Sequence, residues 1–353
     1  MAPSAIFSSA PMLCLTPLYR FSSDTSELVI DGNIRVCRFD DCRTIPFDDM
    51  VANHLRVHEP DYLLCHAPVS QKNFEDFKSL LMNEQRVLEE RMSEVSQFVV
   101  ASTAELCSLL RLFKPGRLRA GETFFLFRRL RDDHEKGVIF DEREGWQTVL
   151  YGHVAAETVD YTLLLSQTTS YVLNSAEAPF LRSFRDNVVP VLRNIGSFPT
   201  VANALLLYAA DNGERLDAVG AVTALEGLLT EEGDIGELAY RLSMRVANLL
   251  GHNVDDRKAI FRDVKSFYKL RSKIVHGVEL NTKLLNRLNE LDSLRETLRR
   301  VLLSVMALLS EGAVRRVDLP DLLDDLAFDD EKRKRVQTTA SKFLHINAEN
   351  TSS

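Results

Sequence analysis

The chain has 353 residues, 45% hydrophobic and 27% charged, the proportions of a soluble protein with room for about two domains. Its net charge of −8 excludes nucleic-acid binding through bulk positive charge, so any such contact needs a local basic patch. No run of about 18 apolar residues is present, so no membrane span is expected.

The opening stretch, MAPSAIFSSAPMLCLTPLYR, lacks a basic region followed by a long apolar core, so no secretory signal is expected. The five cysteines, at 14, 37, 42, 65 and 107, are odd in number and lie in the first third of the chain. Together these features predict reduced thiols and a cytoplasmic protein.

Residues 1–25 read as an irregular lead. Residues 26–31 and 33–40 read as two strands about the turn signal Asp31-Gly32-Asn33, and 61–66 read as a third strand. Apolar spacing predicts helix over most of 71–114, ended by Lys114-Pro115-Gly116. Residues 122–128, 147–154 and 157–165 read as strands. From about 176 the period changes. Helices are expected at 176–194, with a kink at Pro190, and at 200–211, 214–230, 234–250, 254–276 and 282–311. After Gly312 an acidic stretch is followed by Lys332-Arg333-Lys334-Arg335, read as a solvated, charge-balanced run with a disordered polar end. The predicted class is α+β. A mixed α/β recognition or regulatory part covers 1–175, an all-α bundle 176–311, and a charged, partly disordered tail 312–353.

Two constellations carry possible chemistry. In the first, Cys37, Cys42, His54 and His58 have nearly the spacing of a Cys2His2 zinc finger. The gap between Cys42 and His54 is one residue short of the usual twelve, and Pro46 falls inside it. A buried strand cysteine, a loop cysteine and two exposed histidines is the favoured alternative.

The second lies on the helix at 254–276. Ile260, Val264, Phe267, Ile274 and Val278 form an apolar row, and Arg271 occupies the position that continues it. His276 follows after four residues, and Gly277 is placed to stop the helix. Arg128 and Arg129 before His134, and Arg245 before His252, have similar spacing, so context and not spacing singles out Arg271 and His276. On the helix at 214–230, Glu226 joins the seam of Val222, Leu225 and Leu229. A carboxylate on one apolar row and a guanidinium on another are natural partners, because each is costly to bury alone. Tyr268, one turn before Arg271, either presents its hydroxyl or packs. Five residues of regular helix separate Arg271 and His276 by about 140°. Either the helix unwinds before Gly277 or a second subunit completes the site. No P-loop, GxGxxG, HExxH or nucleophile elbow is present.

The segment Tyr268-Lys-Leu-Arg271-Ser-Lys-Ile-Val-His276-Gly277 resembles the signature of HEPN domains, in particular the Apea-like group. Arg215-Leu-Asp-Ala-Val-Gly-Ala-Val-Thr-Ala-Leu-Glu226-Gly-Leu-Leu and Leu238-Ala-Tyr-Arg-Leu-Ser-Met-Arg-Val-Ala-Asn-Leu-Leu250 resemble its upstream helices. The resemblance covers roughly 180–311. Ser272 stands where the family often has Asn, Asp or His. The resemblance implies an all-α bundle that forms a homodimer and cuts RNA without a metal, often as a toxin or in phage defence. It also includes non-catalytic scaffolds. Arg271 on the phosphate, His276 as acid or base and Glu226 orienting Arg271 are the roles expected for the catalytic form. The products would carry a 2′,3′-cyclic phosphate and a 5′-OH.

Overall fold

The computed structural model describes residues 12–30, 33–39, 61–67, 85–128, 130–133, 137–140, 146–155, 171–231 and 237–345. The chain divides into two compact units, one of residues 1–110 with 116–179 and one of 111–115 with 180–353. It is an α+β protein, a strand-rich N-terminal region followed by a largely helical C-terminal part.

The first unit is built on an antiparallel sheet. Its strands are β1 (Met12–Tyr19), β3 (Glu27–Val29), β4 (Ile34–Arg38), β5 (Tyr62–His66), β6 (Arg119–Ala120), β7 (Glu122–Arg128) and β10 (Trp146–Ala155). The order is β10-β7-β1-β5-β4-β3, with β6 also beside β1. A short parallel pair, β2 (Phe21–Ser23) with β11 (Tyr171–Leu173), and a hairpin, β8 (Leu130–Asp133) with β9 (Gly137–Phe140), stand apart from it. Leu13, Leu15, Cys37, Leu63, Cys65, Phe124 and Leu126, alternate residues of four strands, form one core cluster with Phe39, just past the end of β4.

The irregular lead expected over 1–25 is corrected: β1 lies inside the sheet and all eight of its residues are buried. Its sequence, MLCLTPLY, does not alternate because it is buried on both faces, and Pro17 argues against a central strand. The sheet accommodates Pro17 where pairing passes from β7, at Leu15 opposite Phe124, to β6, at Leu18 opposite Ala120. At that break Gly121 donates its N–H to the Pro17 carbonyl at 2.8 Å. The strand read at 157–165 lies outside the described residues, as does the first part of the helix read at 71–114. The described helix, α1, covers Gln85–Phe113. Its Glu94–Phe113 portion is long and apolar enough, by length and composition, to cross a membrane, which corrects the expectation of no span. Just under half of that portion is buried within the protein.

The second unit is helical: α2 (Ala178–Arg193), α3 (Pro199–Ala209), α4 (Glu214–Leu229), α5 (Leu238–Leu250), α6 (Val254–Val275), α7 (Thr282–Leu288), α8 (Leu291–Ser310), α9 (Leu319–Asp325), α10 (Asp330–Ala340) and α11 (Lys342–His345). Helix α8 is apolar at every position from Val301 to Leu309 except Ser304 and is buried on every side there, the pattern of a central helix. It packs against α3, α4, α5, α10 and α11. The single helix expected at 282–311 is two, because the chain turns at Asn289 and Glu290. Arg287 is held over the Phe267 ring and paired to Asp263 and Glu290, while Leu291, Leu294 and Leu298 face the core.

The solvated run expected after Gly312 is also corrected. Three helices continue to His345, and Leu319, Leu323, Leu326 and Phe343 are buried. Arg333, from the basic quartet, is buried and donates to the Leu326 carbonyl at 3.2 Å. Gln337 reaches the Asn248 and Gly251 carbonyls at 2.8 and 2.9 Å, satisfying the C-terminal end of α5. The disordered end expected at 347–353 lies outside the described residues.

Candidate active site

Helix α6 starts at Asn253, whose side chain accepts the Asp256 N–H at 2.9 Å, with Asp255 and Asp256 in the first turn. It stops at Gly277, in the left-handed region at φ +64°. The Gly277 N–H reaches the Ile274 carbonyl, and the Val278 N–H reaches the Lys273 carbonyl, both at 3.0 Å. That pair of bonds is a Schellman motif. A Cβ at Gly277 would meet nothing within 4 Å, so Gly277→Ala tests the backbone alone. It is expected to lower stability by about 1 kcal/mol, read as the urea midpoint. An unchanged midpoint would mean that the helix end is not held in this form.

The buried face of α6 is Val264, Phe267 and Leu270. Ile274 is half-buried and Val278 exposed, so the seam runs through Leu270, with Arg271 at its edge. Helix α4 packs beside this face, with Val222, Leu225 and Leu229 buried and Glu226 at their border. Arg271 Nη2 donates to Glu226 Oε2 at 3.3 Å. The two side chains are 27% and 15% exposed. The expected pairing of Arg271 with Glu226 is present. Tyr268 lies under the guanidinium, whose carbon is 5.9 Å from the ring centre. Burial first, and then the Glu226 charge, raise the Tyr268 hydroxyl above its ordinary pKa, with Arg271 opposing. Glu226→Gln removes that charge, so Tyr268 is expected to ionise at lower pH. Phenolate absorbance, measured as a difference from Tyr268→Phe, checks this. An unmoved titration would leave burial as the whole cause.

The contact between Arg271 and Glu226 is loose. Glu226 Oε1 and Arg271 Nε are both buried with no hydrogen-bond partner. The nearby pair of Arg245 and Asp324 shows what a structural ion pair looks like in this fold. Arg245 is 1% exposed, binds both Asp324 oxygens at 2.8 Å and also donates to the Leu229 carbonyl at 2.8 Å. Arg245, before His252, had the rival spacing; its fork is filled by these bonds. Each orphaned group on the Arg271 pair costs on the order of 1–3 kcal/mol.

His276 is the C-cap residue of α6, and its ring is exposed with no hydrogen bond or ion pair to the described residues. The helix stays regular to Val275, so it does not unwind to bring His276 round to Arg271. Within one chain, Arg271, Glu226 and Tyr268 come together and His276 does not join them. Of the zinc-like set, Cys37 is buried in β4, and Cys42, His54 and His58 lie outside the described residues. The side chains of Arg128, Arg129 and His134 lie outside them too.

One feature was missed in the sequence. Arg262, Lys265 and Lys269 follow the helical period on the outer face of α6 and line a cleft of about 830 Å³ with Lys283 and Arg287 of α7. The signal was legible as cations at helical spacing, with Asp263 the one acidic residue between Arg262 and Lys269. No family model matches the chain, and neither a curated protein nor a solved structure matches it.

Proposed function

We propose that this protein is a metal-independent endoribonuclease of HEPN type, acting as a cytoplasmic homodimer in a toxin or phage-defence role. Its substrate is RNA. His276 serves as acid or base for the 2′-OH attack, and Arg271 holds the phosphate as charge grows on it. Glu226 is a positioning residue for Arg271.

The observation that carries this reading is the half-satisfied pair of Arg271 and Glu226. The Arg271 side chain is 27% exposed and makes one 3.3 Å bond, so its guanidinium has donors left for a phosphate, whereas the fork of Arg245 is filled. Arg271 and His276 diverge on α6, so the second subunit supplies the missing half of each site. Val275 and Val278, 53% and 43% exposed on either side of His276, give a second copy an apolar surface to cover.

Mixing two inactive proteins, Arg271→Ala and His276→Ala, tests this arrangement. Hybrid dimers then carry one intact site, and roughly a quarter of wild-type activity is expected to return by random exchange about a two-fold axis. No recovery after subunit exchange would rule out sites shared between subunits. The divergence of Arg271 and His276 also favours a second reading, a non-catalytic HEPN scaffold or nucleic-acid-binding dimer with specificity in the N-terminal part. On that reading neither substitution alters RNA.

A further inference from the structure

The cleft between α6 and α7 carries an unusual charge balance for a chain of net charge −8. Arg262, Lys265, Lys269, Lys283 and Arg287 line it, against the single carboxylate of Glu290. Arg287 is neutralised by Asp263 and Glu290. Arg262, Lys265, Lys269 and Lys283 are exposed and have no carboxylate partner among the described residues. Four like charges gathered in one concavity repel one another, and a polyanion removes that cost.

Aromatic rings flank the same cations. Tyr240 of α5 packs edge-on against Phe261 of α6, with centroids 5.4 Å apart. Lys265 Nζ lies 5.9 Å from the Tyr240 ring and 5.4 Å from the Phe261 ring. Tyr240 is 47% exposed, so a solvent-exposed aromatic residue stands beside a line of positive charge. That pairing of cations with a stacking platform suits a single strand, whose bases are free, better than a duplex or a small polyanion.

The row also leads somewhere. Lys269 and His276 are seven residues apart and Lys265 and His276 eleven, so each lysine lies within about 20° of His276 around the axis of α6. Arg271 is on the far side. A strand lying along the cations therefore runs toward the histidine.

We propose that the α6–α7 cleft, with Arg262, Lys265, Lys269 and Lys283 on the phosphates and Tyr240 under a base, is the path by which single-stranded RNA reaches His276. This deepens the ribonuclease reading and rests on it for the identity of the strand. The cleft is testable without cleavage, because it reads phosphates and base faces and not the 2′-OH. The probe is a short fluorescein-labelled oligodeoxyribonucleotide, followed by anisotropy over a salt series with the full-length protein.

The wild type is expected to bind with strong salt dependence. The triple variant Lys265→Ala, Lys269→Ala, Lys283→Ala should bind at least about tenfold more weakly, with a salt slope reduced by about 2, from about 0.7 per single-strand phosphate released. The corresponding triple Lys→Arg variant should retain binding, which separates lost charge from lost fold. Tyr240→Ala should weaken binding about tenfold at every salt concentration. An unlabelled duplex should compete less well than the unlabelled single strand.

Equal binding by wild type and the alanine triple, or no binding by wild type, overturns the cleft even if the protein cuts RNA. Loss of binding in the alanine triple and its retention in the arginine triple supports the cleft even if no RNA is ever cut, and then the ribonuclease reading fails alone.

Discussion

His276→Ala is expected to lower RNA cleavage by about 10²–10⁴-fold, the usual contribution of a positioned acid or base. The expectation is sharp because little else should change. His276 is exposed, makes no bond to the described residues through its ring, and follows a helix end closed by backbone hydrogen bonds at Gly277 and Val278. Exposed substitutions of this kind usually alter stability by less than about 0.5 kcal/mol. Activity should therefore fall with an unchanged unfolding midpoint. Arg271→Ala should reduce activity comparably, and Arg271→Lys should not restore it, because an ammonium lacks the planar fork that matches two phosphate oxygens. Cleavage by His276→Ala at the wild-type rate would remove His276 from the mechanism.

The second large effect is on stability. Asp324→Ala is expected to cost about 3–5 kcal/mol, measured by urea unfolding, because it strands the charge of a buried arginine. Arg245 is 1% exposed and Asp324 43%, so the two partners are not equivalent. Arg245→Met leaves a carboxylate that water can reach and fills the space with an apolar chain of similar length. It should cost less than Asp324→Ala. Equal losses would mean that the lost hydrogen bonds, and not the stranded charge, set the effect. The same pair ties α9, in the stretch read as a solvated tail, to α5 and to the C-terminal end of α4 through the Leu229 carbonyl. Truncation after Gly312 should therefore destabilise the bundle.

Most of the helices were legible because amphipathic period and Gly277 as a stop agree with one another. The pairing of Glu226 with Arg271 was legible for a similar reason: each is a charge on an apolar row, and the two rows meet. Strand β1 was not, because burial on both faces erases alternation and Pro17 is tolerated only at a break in pairing created by distant residues. The helices after Gly312 were hidden by their charge. Arg333 and Asp324 look like surface residues until their partners, the Leu326 carbonyl and Arg245, are known. The cations of the α6–α7 cleft were visible as types and spacing, but their lack of carboxylate partners among the described residues is a property of the fold.

The most direct test of the central claim is incubation of the purified protein with total RNA in EDTA, beside His276→Ala, with end-group analysis of the fragments. The account predicts cleavage by the wild type alone, leaving 2′,3′-cyclic phosphate and 5′-OH ends. Intact RNA in both samples at protein concentrations where the dimer is formed, or fragments with 3′-OH and 5′-phosphate ends, would contradict it.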